Sequence, residues 1–324
     1  MLPLSVLDLS PVTTETSAAQ ALANTIDLGR HADALGYTRY WMAEHHNLPN
    51  IASGAPDIMI GQVAAATKTI RVGAGGIMLP NHAPLIVAEQ FGTLESLFPG
   101  RIDLGLGRAP GTDPRTAHAL RRTLASDPDA FPQDVLELLS YFEAEDGREI
   151  RAVPGAGLAV PIYILGSSLF GAQVAAALGL PFAFASHFAA QQMIPAVRIY
   201  REQFTASPVA QIDRPYVILG ANVVAADTDG EARFLASSGR QAFASLRAGT
   251  PIRLPPPSRE WEKEVVPFDP SAIASLPAIS IVGSRETVKG GLHAFAACLE
   301  PDEIMVVSHV HDHGARLRCY ELMS

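Results

Sequence analysis

Cysteine is nearly absent: Cys298 and Cys319 are the only two in 324 residues. Their separation fits no metal-ligand spacing, so no metal site is expected from them. So few thiols argue against a disulfide framework and fit a reducing compartment, with a cytoplasmic location as the expectation. Basic side chains are outnumbered, 24 Lys and Arg against 33 Asp and Glu, for a net charge of −9. A nucleic-acid footprint needs a basic face, so no nucleic-acid partner is expected. No apolar run reaches about 18 residues, so no membrane span is expected. The opening MLPLSVLDLSPV has no basic leader and is broken by Pro3 and Asp8. It reads as a first strand rather than a signal peptide. No glycine-rich dinucleotide fingerprint follows that strand, which argues against an open nucleotide-binding sheet.

What is present is a β/α rhythm. Hydrophobic residues make up 48% of the chain, enough for a large core. Strand-like runs lie at 4–10, 38–44, 70–79, 101–107, 161–166, 181–186, 216–226 and 303–308. Amphipathic helical stretches separate them. Ser17 and Gln20 have capping-box spacing at the start of the first helix, and Gly36 marks its stop. Pro56 suits the first turn of the second. The rhythm loosens over 112–150, which reads as helical with an insertion. Eight strands, each followed by a helix, predict a (β/α)8 TIM barrel with insertions, spanning 1–324 as one domain. The Pro-rich stretch at about 246–278 reads either as a lid or as a surface insertion.

In such barrels, sites sit at the C-terminal ends of the strands. Polar residues collect there. Glu44, His45 and His46 end strand two. Asn81 and His82 follow strand three. Arg108 ends strand four, and Gly166, Ser167 and Ser168 end strand five. Ser186 and His187 end strand six, while His309, His311 and His313 follow strand eight. Each has a plain structural reading. A strand-end histidine is often a hydrogen-bonded structural residue. Arg108 could pair with Asp103 or Asp113, or could bind an anion in its Gly-rich turn. Ser167 could simply cap a helix, but GSS at a helix start also suits a phosphate. Gly75–Gly76 inside a strand implies a bulge, a ligand against the backbone or close packing in the barrel. HVHDH at 309–313 looks like a metal cluster but has no fixed carboxylate partner.

The segments WMAEHHN, TKTIRVGAGGIMLPNHAPLIVAEQFGTLESLFPGRIDLGLGRAPGTD, PIYILGSS and HGARLRCYEL occur in this order. Together they resemble the bacterial luciferase-like flavin-dependent monooxygenases, over nearly the whole chain and least well at 110–150 and 246–278. The resemblance implies a barrel that binds FMN, reduced by a separate flavin reductase. It implies reaction with O2 through a C4a-peroxyflavin and oxidation of a small, largely apolar, aldehyde-like substrate. His45 matches the family's catalytic histidine, which assists formation or breakdown of that adduct. An imidazole titrating near neutrality suits such proton transfer. Arg108 and Ser167 match phosphate-binding positions, with Gly166 and Ser168 beside them. Gly75–Gly76 match a non-prolyl cis peptide under the flavin, and Glu44 a glutamate near it. Arg121 or Arg122 would supply a second phosphate arginine. Gly107 stands where luciferases carry a reactive cysteine, which argues against light emission. Homodimerisation is implied by the family alone. Three alternatives remain open at this point: a deazaflavin-dependent hydride-transfer enzyme, a metal-dependent barrel hydrolase, and a non-catalytic flavin-binding protein.

Overall fold

A computed structural model describes residues 2–324, apart from 110, 121–129, 145–148, 208 and 265–267. The described residues form nine strands: β1 (Leu4–Asp8), β2 (Arg39–Met42), β3 (Arg71–Met78), β4 (Ile102–Gly107), β5 (Ile162–Gly166), β6 (Phe182–Phe184), β7 (Val217–Ala226), β8 (Ser280–Ser284) and β9 (Glu303–Val307). All pairings between these strands are parallel. β1 to β7 pair in sequence order, except that β9 sits between β7 and β1 and closes the ring. The result is the expected closed (β/α)8 barrel. β8 was not foreseen. It pairs with the outer half of β7, Asn222–Ala226, while the inner half, Ile218–Asn222, pairs with β9. A ten-residue β7 is long enough to serve both neighbours. SIVGS is too short and too weakly alternating to stand out as a strand in the sequence.

Among the described residues, ten helices surround the ring: α1 (Ala18–Ala34), α2 (Pro56–Ala66), α3 (Pro84–Leu97), α4 (Pro114–Leu120), α5 (Phe131–Phe142), α6 (Leu169–Leu178), α7 (Met193–Gln203), α8 (Asp229–Arg247), α9 (Arg285–Leu299) and α10 (His313–Met323). Their starts follow local chemistry. Ser17, Thr228, Ser284 and Asp312 each accept a first-turn N–H at α1, α8, α9 and α10. In α1 the capping box is half made: Ser17 accepts from Gln20 N–H, but the Gln20 side chain turns to Asn24. Proline opens α2, α3 and α5.

Alternation along the strands sorts the side chains into two layers. Leu7, Trp41, Ala43, Tyr163, Ala183, Ile218, Met305 and Val307 fill the barrel interior. The opposite parity, such as Val6, Tyr40, Val72, Leu104 and Val306, packs outward against the helices. At the N-terminal end of the barrel the fill turns ionic. Arg39 donates to both oxygens of Glu303 at 2.8 and 3.0 Å, to Asp103 at 2.7 Å and to the Tyr163 hydroxyl at 2.9 Å. Arg71 also donates to Asp103, at 2.6 Å. This cluster ties β2, β4 and β9 together across the barrel floor and leaves the C-terminal mouth as the open end.

Candidate functional site

The alternation that places Trp41 and Ala43 inside carries on to His45. It likewise carries from Met305 and Val307 to His309, and from Tyr163 to Ser167. These groups therefore emerge at the C-terminal rim.

Glu44 has the opposite parity and is buried in the wall. One oxygen, Oε1, accepts from His46 Nε2 at 2.8 Å and His82 Nε2 at 2.9 Å. The other accepts the Met78 N–H at 2.7 Å. Burial alone would raise its pKa, but the hydrogen bonds from His82, His46 and Met78 outweigh that and hold it below the ordinary value. Glu44 is thus an ionised strut joining β2 to the end of β3. His82 was noted in the sequence only as a polar neighbour; nothing local marks it as the partner of a residue 38 positions away. His45 is half-buried, and its Nδ1 lies 3.2 Å from the Gly111 carbonyl. Burial lowers its pKa, with the Gly111 carbonyl and Glu44 acting against that. Gly111 has φ +65°, and a Cβ there would lie 2.8 Å from the Glu44 carbonyl, so the turn after β4 needs glycine to reach β2.

β3 carries a cis peptide at Gly75–Gly76, with a register shift between Gly75 and Ile77. Close packing accounts for both glycines. A Cβ on Gly75 would meet the Leu7 and Trp41 side chains at 2.8 and 3.0 Å, and one on Gly76 the Gly105 carbonyl at 2.5 Å. Gly107 pairs in register with Met78 and abuts its sulfur, so no side chain separates these strand ends.

Arg108 comes next on the rim. Neither of its sequence-suggested partners is free: Asp103 pairs with Arg39 and Arg71, and Asp113 binds Thr116 and Asn47. Instead, the Arg108 guanidinium stacks over the Phe170 ring at 4.2 Å. Phe170 lies in the first turn of α6. Ser168, at the N-cap of α6, makes no side-chain capping bond, and Ser167 is exposed beside it. A cation, two hydroxyls and the N-terminus of a ten-residue helix therefore share one corner. Gly166 leads into it, and a Cβ there would meet Gly171 and Phe182 only at ordinary van der Waals distance. Phe170 escaped the sequence reading because an aromatic in a helix's first turn carries no binding signature. Arg121 and Arg122 lie outside the described residues.

Two more histidines stand at the mouth. His187 follows β6, and its carbonyl accepts from Asn222 at 2.5 Å. His187 is half-buried, and burial, then His309 and His45, push its pKa down to about 3. His309, against Gly239 of α8, is pushed down to about 4 by burial and by Arg316. HVHDH does not act as a unit. His313 pairs with Asp27 at 3.0 Å on the surface, and the His311 Nε2 is buried without a partner. Among the described residues, no group of three or more His, Cys, Asp or Glu side chains could hold a metal ion. Asp8 belongs to the wall, where burial opposes and Arg316, Tyr40, Thr25 and the Ser10 N–H enforce its charged form.

The sequence profile described as luciferase-like monooxygenase matches residues 2–299. The chain belongs to the luciferase-like monooxygenase family. With the family comes its activity class, flavin-dependent monooxygenation. A luciferase-like monooxygenase of Escherichia coli (strain K12) is 48% identical over 319 residues, covering 98% of this chain and 95% of that protein. The crystal structure of apo-MsnO8 superposes with a TM-score of 0.91 at 34% identity, covering 100% of this chain and 97% of that one. The oxygenating constituent of 3,6-diketocamphane monooxygenase of Pseudomonas putida, solved in complex with FMN, shares the fold at a TM-score of 0.71 and 17% identity, covering 100% and 97%. No described helix of this luciferase-like monooxygenase is long and apolar enough to cross a membrane.

Proposed function

We propose that the barrel mouth binds reduced FMN and uses it with dioxygen to oxidise a small, largely apolar organic molecule carrying a carbonyl group. The observation that carries this reading is the α6 corner: an arginine stacked on Phe170, without a carboxylate partner among the described residues, beside an uncapped helix N-terminus and two serine hydroxyls. Such a corner suits a phosphate monoester. Arg108, Ser167 and Ser168 would hold the phosphate, with the Gly166 backbone alongside. The ring would lie toward Gly75–Gly76, and Glu44, buried behind β3, would stiffen the wall on which it rests. The P. putida protein, solved with FMN, has the same fold.

Bound reduced FMN would supply the electron pair that activates dioxygen, the C4a chemistry implied by the resemblance. His45 would hold and move the proton that step requires. Its lowered pKa keeps the imidazole neutral near pH 7, and the Gly111 carbonyl fixes Nδ1 as the protonated nitrogen, which leaves Nε2 to accept. The Pro-rich segment would cover the mouth. Leu254 is buried and bonded to Val12 and Thr14, and Ser258 N–H donates to Ser237 of α8, so the cover is anchored at both points. A flavin reductase would supply the electrons, and the chain would work as a homodimer.

Anaerobic titration with reduced FMN, followed by mixing with oxygenated buffer, tests the reading. The expected result is saturable binding and then an absorbing species distinct from both reduced and oxidised flavin. Free-solution oxidation kinetics in the presence of excess protein would end it. Tight binding of a deazaflavin in place of FMN would move the reaction to hydride transfer.

A further inference from the structure

We infer that His187 donates a hydrogen bond from Nε2 to the carbonyl oxygen of the organic substrate; this rests on the monooxygenase reading of the mouth. β7 alternates with Ile218 inward, so Gly220 also faces the barrel interior. A Cβ built on Gly220 would lie 2.3 Å from His187 Nδ1. The imidazole therefore occupies the space a β7 side chain would otherwise fill, at the mouth between β6 and β7, one strand along the ring from β5 and its α6 corner.

The two ring nitrogens have different surroundings. Nδ1 is shut off against Gly220 and has no hydrogen-bond partner. Among the described residues Nε2 has no hydrogen-bond partner either, yet it is not among the atoms cut off from solvent. A buried N–H without an acceptor is rarer than a buried lone pair without a donor. The proton therefore belongs on Nε2, which makes that edge a donor aimed into open space. Burial keeps the ring uncharged, and a neutral imidazole can polarise a carbonyl without carrying a full charge into an apolar pocket. A ring that only filled space would be better replaced by leucine, because a buried unpartnered nitrogen opposes folding. His309 and His45 are the titratable neighbours of the ring, and the next residue in the chain is aromatic. Phe188, more than half exposed, meets Phe243 edge to face at 6.2 Å. One donor beside an aromatic rim fits a molecule with a single acceptor oxygen and a hydrocarbon body.

The test uses the full-length chain labelled with 15N-histidine, with 2-heptanone and hexanal as probes. The His187 signals should show protonated Nε2 and bare Nδ1 near pH 7, and the Nε2 signal should move as either probe is added. His187→Leu should weaken probe binding about tenfold, the loss of one hydrogen bond, and His187→Gln, which keeps a donor, should hold it within about threefold. Reduced-FMN affinity should stay within about twofold in both variants, since one lost neutral hydrogen bond would shift it further. Protonated Nδ1, equal probe affinity in the leucine variant, or no probe binding by the wild type would each overturn the assignment. A drop in FMN affinity on His187→Leu would make His187 a flavin ligand, overturning this inference and leaving the flavin reading intact. Probe binding with no FMN binding would do the reverse.

Discussion

Arg108, His45 and His187 can each be tested alone. Removing the guanidinium in Arg108→Ala should weaken FMN binding by roughly 1.5–3 kcal/mol, the range for a hydrogen bond to a charged group. Equilibrium titration checks this, and an unchanged dissociation constant removes Arg108 from the phosphate. His45→Ala should leave that constant within about threefold, because the imidazole is assigned to proton transfer rather than flavin binding. Its turnover should instead divert reducing equivalents to hydrogen peroxide, measurable by a peroxidase assay; wild-type coupling would exclude His45 from the chemistry. His187 and His309 make a separate, thermodynamic prediction. Their folded pKa values, about 3 and about 4, lie below the ordinary 6.5. Between those values the unfolded chain binds protons that the folded chain does not, so stability is full above about pH 6.5 and falls as pH drops. The fall in melting temperature from pH 7 to pH 5 should be smaller in His187→Leu than in wild type.

At the level of strands and helices, the mouth depends on glycines that make room for a neighbour. Gly220→Ala must displace the His187 ring, and overpacking of this kind costs about 1–3 kcal/mol. Adding His187→Ala should recover much of the loss, a non-additivity that urea denaturation of the two single variants and the double variant can measure. Elements of this kind also mark how far the sequence could be read. The eight barrel strands were legible because long apolar runs alternate with amphipathic helices and stop at Gly or Pro. β8 was not, because its pairing depends on the length of β7 rather than on its own pattern. The rim was legible as a set of strand-end polar residues, since the fold class dictates which end matters. Their partners were not: Glu44 with His82, Arg108 with Phe170, and His187 with Gly220 are contacts across 33 to 62 positions, set by strand order and by the depth at which each loop leaves the barrel. HVHDH shows the converse, a sequence cluster that a strand end and a helix start pull apart.

Taken whole, the molecule is polarised along the barrel axis: ionic floor, apolar waist, polar mouth. The floor holds the ring shut. Arg39 is 5% exposed and faces two fully buried carboxylates, Asp103 and Glu303. Arg39→Met would leave the buried Glu303 without a cation and Asp103 with Arg71 alone, at a cost of about 3–5 kcal/mol. A denaturation midpoint close to wild type would show that the floor cluster contributes nothing to closure. Such a floor keeps solvent from entering opposite the mouth, where a reactive flavin must be protected from water. The claim on which the rest stands is that Arg108, Ser167 and His45 share one flavin pocket. A crystal structure of the FMN complex tests it most directly. The account predicts the phosphate within hydrogen-bond distance of Arg108 and Ser167, and the His45 imidazole beside the isoalloxazine ring. Phosphate density anywhere else, or a ring out of reach of His45, would contradict it.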